Sequence, residues 1–97
     1  MNIHIALYKW KTDASPADIR QALQDVEALA AKVPGIVEIS TAENKSKYNE
    51  GYTHVILVRG TSQAAIDTYR THPDHIKVAQ RIDAMEGHGI GVDFETS

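Results

Sequence analysis

Ile3, Ile5 and Leu7 alternate with His4, Ala6 and Tyr8 in IHIALYKWK (residues 3–11), a two-residue period that predicts a strand. After the loop TDASP, Ser15 is placed to cap a helix, Pro16 suits its first turn and Asp18 takes the capping-box acid position. Ile19, Leu23, Val26, Ala30 and Val33 then recur at steps of three and four, the stripe of an amphipathic helix ended by Pro34-Gly35. IVEIST (36–41) predicts a second strand, AENKSKYNEG (42–51) a long polar loop, and YTHVILVRG (52–60) a third strand. A second helix opens at Thr61 or Ser62, runs through Ala65, Ile66 and Tyr69, and is interrupted by Pro73. A third helical segment is expected to turn Ile76, Ala79, Ile82 and Met85 inward. Gly87, Gly89 and Gly91 surround a turn into a last strand, IGVDFE.

The order is β-α-β-β-α-β with the second helix broken in two. It predicts the α+β class: a ferredoxin-like sandwich with an antiparallel sheet, helices on one face, and residues 1–97 as a single domain. Two helices can cover only one face of a four-stranded sheet. Yet the third strand is apolar on both, with Val55 and Leu57 on one and Ile56 and Val58 on the other. The second face needs its own cover, and the same sheet from a second copy supplies one, so a homodimer is expected.

Composition narrows the partners. The formal net charge is −3 and the ten basic residues are scattered, which argues against a nucleic-acid surface. The chain contains no cysteine, which removes disulfides, thiolate nucleophiles and thiolate metal sites. No apolar run approaches the roughly 20 residues needed to span a bilayer, and MNIHIALYKWK does not read as a secretory leader. The expectation is a cytoplasmic protein without membrane association.

The chemistry lies in five histidines. Strand alternation puts His4 with Ala6 and Tyr8, and His54 with Ile56 and Val58; on the helix-facing side both would point at the layer holding Tyr69 and His75. On one continuous helix, the six-residue step from Tyr69 to His75 turns about 600° and leaves the side chains roughly 120° apart. Pro73 breaks that helix and allows the two to converge. They then read equally as an acid–base pair or as a buried tyrosine bonded to a histidine for packing. His72 and His75, with Pro73 between them, lack a nearby third ligand, so no metal site is expected. His72 is read as the cap of the segment that Pro73 opens, and His88 as an exposed turn residue. Tyr8 and Trp10 are read as core or interface aromatics, with a pocket lining as the other possibility.

HIALYKWK, VPGI, GYTHVILV, YRTHPDH and VDFE occur in an order and spacing that resemble the stress-responsive A/B barrel (Dabb) family of dimeric α+β barrels, over essentially the whole chain. The resemblance implies a dimer whose two sheets close into a barrel. Its best-understood enzymes are polyketide cyclases, which close a poly-β-keto thioester by aldol chemistry without cofactor or metal. By that likeness Tyr69 and His75 form the catalytic pair, and His4 and His54 line the same cavity. Where the cyclases present a further pocket tyrosine from the first helix, this chain has Val26. The leading expectation is thus a homodimer with one small-molecule pocket per subunit and cofactor-free acid–base chemistry on a carbonyl-bearing or polyketide-like substrate. In it His75, oriented by Tyr69, is the base, while His4, His54 and Val26 bind. The alternative is a non-catalytic stress-response binding or scaffold protein.

Overall fold

A computed structural model describes residues 1–97. The elements run β1 (Asn2–Trp10), α1 (Pro16–Ala28), a 3-10 turn (Leu29–Ala31), β2 (Ile36–Glu43), β3 (His54–Gly60), α2 (Gln63–Thr71), α3 (Pro73–Met85) and β4 (Glu86–Glu95). The strands form one antiparallel sheet in the order β2-β3-β1-β4, the ferredoxin-like arrangement expected from the element order.

Each helix starts where the sequence supplies a cap. Ser15 accepts from the Asp18 amide at 3.4 Å and Ser62 accepts from the Ala65 amide at 3.1 Å. At α3 the cap is His72, whose Nδ1 accepts from the Asp74 amide at 3.1 Å. His72 is also the last cap of α2, and its ψ of 134° is the extended conformation that a following proline imposes. The junction role expected for it is what the structure shows.

Register decides which side chains meet. His4 pairs with Val58, Ala6 with Ile56 and Tyr8 with His54, and paired residues project from the same face. That face carries the helices. The core there is built from Ile19, Ala22, Leu23, Val26, Leu29, Ile39, Ile56, Val58, Ile66, Val78 and Ile82, with Leu29, Ile66 and Val58 the largest of the fully buried residues. The turn into β2 is packed tightly against α2. Gly35 sits at φ +85°, and a Cβ on it would lie 2.7 Å from that of Ala65.

The other face of the sheet is apolar and open. Ile3, Ile5 and Leu7 pair there with Phe94, Val92 and Ile90, and with Leu57 and Val55 across β3. Ile90, Val92 and Phe94 stay between 40% and 44% exposed, although together they form a continuous apolar surface on one strand.

Three expectations are corrected. The glycines after Met85 do not form a turn: β4 begins at Glu86 and pairs at once with Trp10, so His88 is a strand residue opposite Lys9. Its Nδ1 lies 2.6 Å from the Tyr52 hydroxyl. In α3 Ile76 is 46% exposed, because the helix packs against α1 along the stripe of His75, Val78 and Ile82. The first helix loses α geometry at Ala28, and a 3-10 turn carries the chain on toward Val33. Ile66→Ala, which empties a site 1% exposed, is expected to lower stability by about 2–5 kcal/mol in urea denaturation; a loss under about 1 kcal/mol would contradict this description of the core.

Candidate functional site

The break at Pro73 brings Tyr69 and His75 together, with ring centroids 4.4 Å apart and planes tilted by 56°. They share a cavity of about 340 Å³ between sheet and helices. The sheet contributes His4, Ala6, Tyr8 and Ile56; the helices contribute Val26, Tyr69, Arg70, His75, Ala79, Ile82 and Asp83. A second hollow of about 230 Å³ shares His4, Ala6 and Tyr8 and lies over Gly89 and Gly91. A Cβ on Gly91 would meet nothing within 4 Å, so the bare backbone of β4 leaves this side of the cavity open.

Both histidines in the cavity are tied by the same ring nitrogen. His75 Nδ1 donates to the Arg70 carbonyl at 3.0 Å. His4 Nδ1 donates to Asp93 at 2.7 Å; the two residues face each other in register across β1 and β4. Asp93 in turn accepts from Arg70 Nη2 at 2.8 and 2.9 Å. Arg70 Nη2 also lies 3.0 Å from His4 Nδ1. A carboxylate can only accept, so the Nδ1 proton belongs to the bond with Asp93, and the arginine contact is a close approach, not a donation. Each ring is left with Nε2 as the nitrogen without a protein partner. The role expected of Tyr69 changes here: the Arg70 main chain holds the His75 ring by hydrogen bond, and Tyr69 packs against its face.

The electrostatics follow from burial. Burial lowers the pKa of His75 below the ordinary imidazole value, against the opposing effect of the Arg70 carbonyl, so the ring is neutral at pH 7. Burial also pushes the Tyr8 phenol up to about 12, helped by the carboxylates of Glu86 and Asp83. Tyr69 is raised further, again by burial first and then by Tyr8. Both phenols therefore keep their protons at neutral pH. Neither is bonded to protein, and no buried side-chain polar atom lacks a partner, so these hydroxyls are accessible from the cavity. Arg70, and after it His4, hold the Asp93 carboxyl below the usual carboxylate range.

His54 is corrected. It lies on the helix-facing side, as alternation requires, but does not line this cavity. Its Nδ1 accepts from the Trp10 indole at 2.8 Å, with the Thr53 hydroxyl at 2.9 Å. Trp10 stands edge-on to it at 5.7 Å and stacks on Tyr8 at 5.1 Å. His54 instead borders a separate cleft of about 510 Å³ between α1 and β2. Val26 does line the cavity, where it offers a wall without a polar group. Arg70, Asp93 and Asp83 were missed from sequence, and Tyr8 was left undecided. Asp93 alternates with Gly91 and Gly89 opposite Ile90, Val92 and Phe94, which was the available signal. Its pairing with His4 needed the register. No three histidine or carboxylate side chains converge closely enough to hold a metal ion.

A four-stranded antiparallel sheet under split helices, with a cavity between the layers, defines a ferredoxin-like α+β protein. The chain belongs to the Dabb family, the stress responsive A/B barrel domain, whose sequence profile matches residues 3–96. It is 32% identical over 78 residues to a stress-response A/B barrel domain-containing protein of Arabidopsis thaliana. The match takes in 79% of this chain but 29% of that protein. A dimeric ferredoxin-like protein of Jannaschia sp. CCS1 superposes with a TM-score of 0.89 at 24% identity, covering 98% of each chain. A hydroxynitrile lyase of Passiflora edulis superposes with a TM-score of 0.88 at 17% identity, covering 99% of this chain and 93% of its own. At these identities the likeness establishes the shared fold. No helix is long and apolar enough to cross a membrane.

The depressed pKa of His75 has a consequence for stability. As pH falls below the unfolded value of 6.5, the unfolded chain takes up this proton before the folded chain does. The contribution of His75 to stability is therefore full above that value and is lost as pH drops through the folded pKa. An NMR titration is expected to place the His75 midpoint below 6.5; a midpoint above it would contradict the site as described.

Proposed function

We propose that the chain is a homodimer in which each cavity binds a small carbonyl compound and moves a proton at the carbon beside that carbonyl, without cofactor or metal. The observation that carries this reading is the pairing of neutral His75, its Nδ1 tied and its Nε2 unpartnered, with two protonated phenols in one cavity. Tyr8 and Tyr69 donate to the carbonyl oxygen. His75 Nε2 takes the α-proton, and the electron pair of the broken C–H bond moves onto the oxygen as an enolate held by the two hydroxyls. The enolate carbon then attacks a second carbonyl carbon, whose π pair becomes an alkoxide that takes up the proton from His75 Nε2, or it takes the proton back itself. Val26, Ala79 and Ile82 exclude water around it. The volume falls at the small end of ligand pockets, roughly 300–1,000 Å³. A hydroxynitrile lyase shares this fold, and the polyketide cyclases of the family that the sequence resembles work by aldol chemistry.

The homodimer rests on the apolar sheet face bearing Ile90, Val92 and Phe94 and on the dimeric neighbours of the same fold. Val92→Glu is expected to halve the mass measured by light scattering to 10.7 kDa; a wild-type monomer at micromolar concentration would refute the assembly. A second reading, a non-catalytic stress-response binding or scaffold protein, draws on the Arabidopsis relative and is the one left standing if the chemistry is absent.

The chemistry is tested with methyl 4-oxopentanoate in D2O. The protein is expected to speed deuterium incorporation beside the ketone, with a rate that rises with pH through the depressed His75 range and then levels. His75→Ala should slow it by about 10²–10⁴-fold. Exchange no faster than in imidazole buffer, or unchanged by His75→Ala, would overturn the proposal.

A further inference from the structure

Charged groups of both signs line the cavity, Asp83 and Arg70. The Asp83 and Glu86 carboxylates act on Tyr8. The one guanidinium lining the cavity is that of Arg70, beside His4. Every hydrogen bond of that guanidinium to Asp93 leaves from Nη2, at 2.8 and 2.9 Å. Nε and Nη1 are spent on no protein acceptor, although the residue lines the cavity and is held in place by Asp93. A guanidinium presents its donors as a planar fork that fits both oxygens of a carboxylate. Fixing it through one nitrogen and leaving the others unoccupied is how a binding group is oriented in advance.

The remaining polar groups extend this pattern. Tyr8 and Tyr69 are donors without a protein acceptor, so together with Arg70 the cavity offers donors at separated points on its wall. A ligand that satisfies them carries a neutral carbonyl oxygen and, some atoms away, an anionic oxygen pair. We propose that Arg70 is a specificity residue that selects a small oxo acid: its free guanidinium edge takes the carboxylate while the keto oxygen lies on the tyrosine hydroxyls. This deepens the reading of the cavity as a carbonyl site and rests on it. The carboxylate lies at the Arg70 end, on the guanidinium edge that Asp93 does not occupy.

The test compares 4-oxopentanoate with its methyl ester by calorimetry and NMR line shifts, at low salt and neutral pH. Wild-type protein is expected to bind the acid about tenfold or more tightly than the ester. In Arg70→Gln that preference should disappear, and Arg70→Lys should recover only part of it. Asp93→Asn separates ligand recognition from structure. It removes the competing negative charge while leaving an amide oxygen to hold the guanidinium, so acid binding should hold or strengthen; a merely structural Arg70–Asp93 pair predicts that both variants weaken acid and ester alike. Equal affinity for acid and ester, a preference that survives Arg70→Gln, or no binding of either compound at millimolar concentration would overturn the inference. Exchange chemistry on the ester without acid preference would refute this inference alone. Arg70-dependent acid binding without exchange would refute only the chemistry proposed above.

Discussion

At Pro73 the chain gives up a continuous helix, because the proline ring removes an amide donor and holds His72 in an extended conformation. His72 closes α2 with its backbone and opens α3 with its ring, so the break costs few unsatisfied groups. The geometry of the cavity depends on that break. It lets residues six apart in sequence pack with their ring centroids 4.4 Å apart. It also leaves the Arg70 carbonyl, near the end of α2, available to a side chain at the start of α3. The group that orients His75 is thus an unpaired helix-terminal carbonyl that the break itself creates.

The second constraint is register. Antiparallel pairing places His4 opposite Asp93 and Ala6 opposite Gly91 on β4, with Tyr8 next on the same face, so one line of cross-strand neighbours supplies an oriented imidazole, an open mouth and a phenol. His4 and His75 are reached from different layers yet are held by the same nitrogen, one by a carboxylate and one by a neutral carbonyl. His54, on the same face, is held the opposite way: its Nδ1 accepts from Trp10, and it belongs to another cleft. Histidines on one face of a sheet are therefore not equivalent, and the nitrogen that is tied decides what each can offer.

Much of the fold could be read from the sequence. Alternation in residues 3–10 and 54–60, the Ser15 and Ser62 caps and the proline break are local signals, and they carried the element order and the apolar second face. Errors fell where tertiary packing overrides local preference. Gly87, Gly89 and Gly91 look like a turn, but β1 supplies a partner along the whole of β4. The exposure of Ile76 follows from the packing of α3 against α1, which the spacing of Ile76, Ala79 and Ile82 alone does not encode. In the site, the approach of Tyr69 to His75 was legible because a proline announces itself. The Arg70–Asp93–His4 network was not: it joins residues far apart in the chain through a register that sequence alone leaves open.

The central claim is that the cavity imidazoles are fixed through Nδ1 while Nε2 of His75 stays bare toward a ligand. A long-range proton–nitrogen spectrum of the five histidines at neutral pH tests it most directly. The expected result is a proton on Nδ1 of His4 and His75, a bare Nε2 on His75, and a bare Nδ1 on His54 and His72. A His75 ring protonated on Nε2, with Nδ1 bare, would contradict it.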